Sequence, residues 1–345
     1  MTIRVGVVGT GMIGQDHIRR ITRVLSGGAI VAVTDVDTGR AKQVAARLPG
    51  AAVLPSGRDL IRDSQVDAVL VTSWAETHEE HVLAAIEAGK PVFCEKPLAR
   101  TEEACWRIMD AEMAVGRRLV QVGFMRRYDA AYNAMKAVLD DGGIGIPLLM
   151  HCAHRNPSAP PYDFTTDMMV SDSAVHEIDL VRWLFGEEVV GTSILRPRRS
   201  ARAGDGLHDP LIVLLEMAGG VLVDVEVFVN AAYGYDIRGE IVGESGTVTL
   251  ADGDPVTAKR DGRRSGRVPA DWRERFGRAF DAEFQDWLRA VAAGTSTGPS
   301  AWDGYAAAAV TGSCLEALRT GNRTTVSLRE RPSFYAKAQR ISRDG

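Results

Sequence analysis

Val5-Gly6-Val7-Val8-Gly9-Thr10-Gly11-Met12-Ile13-Gly14 decides the fold. An apolar run of this kind reads as a buried strand, and the glycine turn after it opens a helical pattern. Gly9 permits the tight turn, Gly11 lets backbone approach a pyrophosphate, and Gly14 lets helix pack on strand, with the helix N-terminus facing the phosphates. A bare GxGxxG carries little weight in a chain with 35 glycines. Its place between strand and helix strengthens it, as does Asp35, about 20 residues further on at the end of a second strand. That carboxylate accepts from adenosine ribose hydroxyls and repels a 2′-phosphate, so the expected cofactor is NAD rather than NADP. Arg40 is a nearby cation that could reach such a phosphate.

Outward from this stretch, short β-branched runs at 3–8, 30–34, 68–72, 91–94 and 119–122 alternate with helical patterns at 15–25, 39–48, 77–88 and 102–115. Such alternation predicts an α/β, Rossmann-type doubly wound parallel sheet. After Pro147 strands follow one another, at 148–155, 189–197, 211–217, 221–229, 237–242 and 247–250, which implies an α+β half with a large open, mostly antiparallel sheet. The expected division is residues 1–122 for the cofactor and 123–345 for substrate and oligomerisation, the last helices packing back on the first domain. In 221–229 the valines form one face and Leu222, Asp224, Glu226 and Phe228 the other. Residues 211–217 are apolar on both faces. No spare helix is evident to cover the second face, so a homo-oligomer packed sheet to sheet is expected. In 272–293 the residues Trp272, Phe276, Phe280, Phe284 and Leu288 stand about a turn apart and read as a core stripe; 302–320 is an alanine-rich helix. The stretch 252–270 reads as a mobile loop.

The 345 residues, 45% hydrophobic and 25% charged, describe an ordinary globular chain of roughly two domains. A net charge of −4 gives no pull toward nucleic acid or an anionic membrane. The arginines at 196, 198, 199 and 202, and at 260, 263, 264 and 267, read as solvated loops. The four cysteines (Cys94, Cys105, Cys152, Cys314) are scattered without CxxC pairing, as buried free thiols in a reducing compartment would be. No export leader is read at the start, and no stretch approaches the roughly 20 apolar residues of a membrane span. The cytoplasm is the expected location.

Two further signals carry chemistry. In Cys94-Glu95-Lys96-Pro97 the proline holds Lys96 extended, so its ammonium projects from a strand end where ligands of such sheets bind and can stabilise a developing alkoxide. The same tripeptide is also an ordinary strand exit. In Ser171-Asp172-Ser173-Ala174-Val175-His176-Glu177-Ile178-Asp179, a helix places Asp172 and His176 one turn apart, with Asp179 further along the same face. A histidine among carboxylates can shuttle a hydroxyl proton, or simply be a hydrogen-bonded helix residue. His151 points away from Cys152 and His154 on a strand, so no local metal cage forms and no metal is expected. No serine or cysteine sits in a nucleophile elbow.

The order GTGMIG (9–14), EKP (95–97) and DxxxH (172–176) resembles the glucose-fructose oxidoreductase and inositol dehydrogenase family, with matching segments across nearly the whole chain. They include VTDVD (33–37), VTSWAETHEEHV (71–82), VGFMRRYD (122–129), HCAHRNP (151–157), DSAVHEID (172–179) and YGYDI (233–237). TSWAETH is similar to the inositol dehydrogenase branch, whereas many other family members carry a proline-containing stretch there. The resemblance implies NAD on the first domain and a polyol between the domains. It places Gly9, Thr10, Gly11, Met12, Ile13, Gly14, Asp35, Val36, Thr72, Ser73, Trp74, His78, Glu95 and Lys96 by the cofactor. It places Lys96, Met125, Arg126, His154, Asn156, Asp172, His176, Asp179 and Tyr235 around the polyol. Lys96, Asp172 and His176 are the implied catalytic set, His176 as acid-base group, and a homotetramer is implied. The activity so implied is oxidation of myo-inositol to 2-keto-myo-inositol. Two other readings stay open: another cyclic polyol or pyranose, such as scyllo-inositol, D-chiro-inositol or glucose, and a non-catalytic NAD sensor. The local sequence MMVSDSAVHE departs from some members, which bears on substrate choice.

Overall fold

The structure, a computed structural model, describes residues 2–250 and 257–336. The first half alternates β1 (Ile3–Val8), α1 (Met12–Arg23), β2 (Gly28–Thr34), α2 (Thr38–Ala45), β3 (Ala52–Val53), α3 (Gly57–Arg62), β4 (Ala68–Val71), α4 (His78–Glu87), β5 (Val92–Glu95), α5 (Glu102–Val115) and β6 (Val120–Gly123). Its six strands run in the order β3-β2-β1-β4-β5-β6, all pairs parallel. Because every strand points the same way, the segments that follow β1, β2, β4, β5 and β6 start from one rim, and the order reverses between β1 and β4. β4 and β5 are buried along their whole length, which is why β4 and residues 92–94 of β5 read as apolar runs.

The second half contains α6 (Ala130–Asp140), β7 (Pro147–Arg155), the short α7 (Thr166–Met168), a π-helical stretch Met169–Ala174, α8 (Val175–Phe185), β8 (Val189–Leu195), β9 (Leu211–Met217), β10 (Leu222–Phe228), β11 (Asp236–Gly243) and β12 (Thr247–Thr249). The hairpin β13 (Ala258–Arg260) and β14 (Arg263–Ser265), α9 (Trp272–Ala292), α10 (Ala301–Thr320) and β15 (Thr324–Thr325) follow. The large sheet has the order β12-β11-β7-β10-β9-β8-β15; only β7 and β10 pair in parallel. Val223, Val225 and Val227 are fully buried on its inner face. On the outer face Leu222 and Leu195 are exposed, Ile212, Leu214 and Phe228 are half-buried, and His151 pairs with Asp224.

The aromatic stripe of α9 bridges the two halves: Phe284 lies 4.3 Å from Phe93 between ring centroids, Trp287 and Leu288 join the core of β1 and β2, and Phe276 stands edge-on to Tyr235 at 6.2 Å. Phe276 and Phe280 are buried as well, while Trp272 at the helix start is half-buried. All four cysteines are free and buried.

Two expectations need correcting, the loop at 252–270 and the absence of a further helix. Of the stretch 252–270, residues 252–256 lie outside the described residues, and the rest holds a hairpin instead of a loop. Asp261 and Gly262 take positive φ at its tip, the two-residue turn that matches strand twist. Arg196 and Arg199 stay exposed, as solvated loop residues do, and they also donate to the carbonyls of Leu318, Leu207, Ala203 and Gly204, stapling their loop. The helix α6, capped by Asp129 at Tyr132 N, is an element that the sequence reading missed; it buries Tyr132 and Met135, and Met135 approaches Gly239 on the inner face of the large sheet, so Leu195 and Leu222 on the outer face stay exposed.

The packing at Gly14 gives a stability test. A side chain there would collide with the Gly9 carbonyl and approach Thr72 Oγ1 to 2.8 Å. Gly14→Ala is therefore expected to destabilise the chain by about 1–3 kcal/mol in denaturant unfolding through overpacking; an unchanged midpoint would show that α1 does not pack as described.

Candidate active site

Gly9 adopts φ +96°, with Ser73 N 2.5 Å from where a side chain would begin. Thr72 Oγ1 donates to Gly9 O at 2.6 Å and locks the turn against the end of β4. Around Gly11, by contrast, nothing lies within 4 Å of a Cβ position. Gly11 is also the N-cap of α1, without a side-chain cap and with no acid in the first turn, so the first N–H groups and the positive helix end are left for an anion. Met12 is exposed and Ile13 packs on the core. Asp35 accepts from Thr10 N (2.6 Å), Thr10 Oγ1 (2.9 Å), Asp37 N (2.9 Å) and Arg40 Nη2 (2.6 Å). Burial pushes this carboxyl up, but Arg40 and the Thr10 bonds prevail and hold it below its ordinary value, ionised. Arg40 is thus the ion-pair partner of Asp35 rather than a free phosphate ligand. Val36 is 91% exposed beside it. An open glycine, an uncapped helix start and an ionised carboxylate at the second strand end fit a dinucleotide.

Two residues expected at the cofactor, His78 and Glu95, are engaged otherwise, and a third, Trp74, stands exposed. His78 is buried, with Nδ1 2.7 Å from Pro97 O and Nε2 3.0 Å from Ser73 O. Both ring nitrogens face backbone, so His78 ties the loop after β4 to the loop after β5 and offers nothing to a ligand directly. Glu95 is buried against His17 Nε2 at 2.7 Å and accepts from Lys96 N at 3.2 Å. Trp74 is 66% exposed and meets Tyr162 edge to face, their centroids 6.2 Å apart.

Lys96 leaves the end of β5 and its Nζ donates to the carbonyl of Asp172 at 2.8 Å, joining the two halves. Asp172 itself lies in the π-helical stretch and His176 in the first turn of α8, so the regular one-turn spacing read from the sequence is interrupted there; such π turns are frequent at functional sites. The His176 imidazole has its Nδ1 buried without a hydrogen-bond partner among the described residues. Burial, reinforced by the positive charges of Lys96 and Arg126 and by His154, holds His176 well below the ordinary histidine range. It is a neutral base in waiting. Asn156 Oδ1 is a second buried acceptor left unpartnered.

Behind them lies a buried charge cluster centred on Glu177, which the sequence reading passed over. Arg126 Nη1 pairs with Glu177 Oε1, and His154 Nδ1 lies 3.1 Å from Glu177 Oε2 and 3.2 Å from Arg126 Nη2. A guanidinium only donates and a carboxylate only accepts, so a proton on His154 Nδ1 serves Glu177. Burial opposes the Glu177 charge, but Arg126 and His154 overcome it and bring the carboxyl to about 2. Arg126 is 1% exposed and Met125 3%; both support the pocket from inside rather than facing a polyol. Tyr235 is buried edge-on to His154, 6.1 Å between centroids, its hydroxyl pushed up to about 12 by burial. Asp179 departs most from expectation. Both its oxygens are taken by Arg127, which also meets Asp303 at 2.9 Å, and Asp179 is 1% exposed. It anchors α8 instead of facing the cleft. Among the described residues no group of three or more His, Cys, Asp or Glu is placed to hold a metal ion. No described helix is long and apolar enough to cross a membrane.

Comparison with known proteins matches residues 3–124 to the oxidoreductase family model for an NAD-binding Rossmann fold and residues 136–328 to its C-terminal alpha/beta domain. The chain belongs to the Gfo/Idh/MocA oxidoreductase family. Among family members, inositol 2-dehydrogenase 3 of Saccharopolyspora erythraea is 57% identical over 335 residues, 97% of this chain and 98% of that protein. The crystal structure of myo-inositol dehydrogenase from Lactobacillus casei in complex with NAD(H) and myo-inositol is similar at TM-score 0.94 and 38% identity, covering 97% of this chain and 100% of that one. Scyllo-inositol dehydrogenase from Lactobacillus casei, with NAD(H) and scyllo-inositol bound, matches at TM-score 0.87 and 25% identity, over 94% and 99% of the two chains.

For this family member the electrostatics of His176 are directly measurable. Its imidazole is expected to titrate below the unperturbed value of about 6.5 when followed by NMR of histidine-labelled protein; a midpoint above neutrality would contradict the site described.

Proposed function

We propose that the chain oxidises myo-inositol to 2-keto-myo-inositol with NAD. The observation that carries this reading is the meeting of Lys96, from the cofactor half, with Asp172 and the neutral His176 of the other half. The substrate rests on the inositol dehydrogenases that the chain resembles at 57% and 38% identity. NAD, when bound, supplies the acceptor for the hydride leaving the carbinol carbon. His176 takes the hydroxyl proton as the carbonyl forms, and the Lys96 ammonium donates to the same oxygen, stabilising its alkoxide character. Asp172 supports the transfer from the turn before α8. Asn156 Oδ1, unpartnered and buried, accepts from a ring hydroxyl, and His154 offers its Nε2. Asp35 receives the ribose hydroxyls in competition with Arg40, which sets the preference for NAD.

A second substrate reading is another cyclic polyol, favoured by the likeness to the scyllo-inositol enzyme; the same ring of hydroxyls fits the same polar pocket. The division at residues 1–122 and 123–345, a cytoplasmic location and a homotetramer belong to the same proposal. The tetramer is supported by the apolar residues Leu195, Ile212, Leu214, Leu222 and Phe228 on the outer face of the large sheet.

His176→Ala and Lys96→Ala are each expected to lower turnover by about 10²–10⁴-fold with little change in NAD affinity, since both act on the transition state. Near wild-type turnover in either would reject the assignment. Light scattering after size exclusion is expected to give four times the chain mass; a monomer alone would reject assembly through the sheet.

A further inference from the structure

Beneath Lys96 runs a chain of buried polar contacts that the reaction itself does not use. His17 of α1 is completely buried, its ring 4.3 Å from Phe284 and 5.4 Å from Phe280 between centroids. Its Nε2 is 2.7 Å from Glu95 Oε1, and its Nδ1 is 2.8 Å from Arg20 Nη1. Arg20, equally buried, donates from Nη2 to Asp16 at 2.8 Å and from Nε to Asp281 of α9 at 2.7 Å. Glu95 Oε2 accepts from the backbone N of Lys96.

The donor rules fix the direction of this chain. A guanidinium has no acceptor, so Arg20 must donate to His17 Nδ1; that leaves the ring proton on Nε2, where it donates to Glu95. Burial keeps His17 neutral, as its lowered pKa reflects, whereas Glu95 stays ionised because His17 and then the Lys96 charge outweigh its burial. The fit beneath Glu95 is close: a side chain on Gly123 would stand 3.1 Å from Glu95 Oε2. Glu283 of α9, fully buried with neither oxygen bonded, is raised well above the carboxylate range by burial and then by Glu95, so it is neutral and adds no second charge there.

We infer that His17, Arg20 and Asp281 are positioning residues for the reaction: the run Asp281–Arg20–His17–Glu95 fixes the backbone of Lys96 and thereby aims its ammonium at the reacting hydroxyl. Helix α9, remote in sequence, is thus coupled to the catalytic lysine through the helix that opens the dinucleotide site. A buried carboxylate held by a directed donor on each oxygen, His17 on one and the Lys96 N–H on the other, cannot shift without leaving an unpaired charge, which makes the strand end a rigid mount. The inference rests on Lys96 meeting the substrate hydroxyl as proposed above.

His17→Phe keeps the aromatic packing and removes both hydrogen bonds. It is expected to lower kcat by about tenfold or more while NAD affinity, read by binding fluorescence, stays within about threefold, the signature of a group felt in the transition state. His17→Gln, whose amide can donate to Glu95 and accept from Arg20, is expected to recover most of that loss. An unchanged kcat in folded His17→Phe, a loss matched by lost NAD affinity, or a glutamine variant no better than phenylalanine would overturn the inference. Should His17→Phe fail to fold, Asp281→Ala decides. Its side chain is 32% exposed, and a lower kcat at unchanged NAD affinity is expected, whereas wild-type kcat overturns the inference. Wild-type protein that forms no NADH from any inositol defeats the underlying reading of Lys96 instead, and an active wild type with unaffected variants defeats the relay alone.

Discussion

The site depends on one reach across the cleft, from Lys96 Nζ to the carbonyl of Asp172 at 2.8 Å. Lys96 belongs to a strand end of a parallel sheet, and Asp172 to the irregular turn that starts the helix carrying His176. Neither half alone places an ammonium beside a neutral imidazole. The parallel order of the first sheet brings the glycine turn, Asp35 and Lys96 to one rim, and the docking of α9 through Phe284 and Trp287 fastens the second half to the first. Charge then completes what packing begins. Lys96 and Arg126 help to keep His176 unprotonated, as a base for a hydroxyl proton must be.

Two buried ion clusters hold α8 at the required angle. Glu177 binds Arg126 and His154 on one side, and Asp179 binds Arg127, with Asp303, on another. Removing one partner of such a pair leaves an uncompensated buried charge, a cost of about 3–5 kcal/mol, whereas a well-packed apolar replacement of both is often neutral. Clusters of this kind specify an arrangement more than they add stability. Here the arrangement is the presentation of His176 and Asn156, whose Nδ1 and Oδ1 are buried acceptor atoms left without partners among the described residues.

Much of this was legible in the sequence where the information is local. The glycine turn, the two-residue alternation of β10 and the aromatic stripe of α9 follow from strand and helix period, and the strand ends located Asp35 and Lys96. What stayed hidden depends on partners far along the chain. Asp179 reads as part of an acid-base strip until Arg127, 52 residues away, takes both of its oxygens. Glu95 and His78 lie within motifs, yet their side chains serve His17 and backbone carbonyls. The π turn at Met169–Ala174 is invisible to a periodicity that assumes a uniform helix. The hairpin tip Asp261-Gly262 and the Asp129 cap of α6 were local signals available to the reading but outweighed by the polar and charged residues around them.

The central claim is that this cleft oxidises myo-inositol with NAD, and NADH absorbance with each inositol stereoisomer in turn tests it most directly. The account predicts NADH formation with myo-inositol that requires NAD and is strongly weakened with NADP. No NADH from any stereoisomer, or turnover of other isomers with myo-inositol inert, would contradict it.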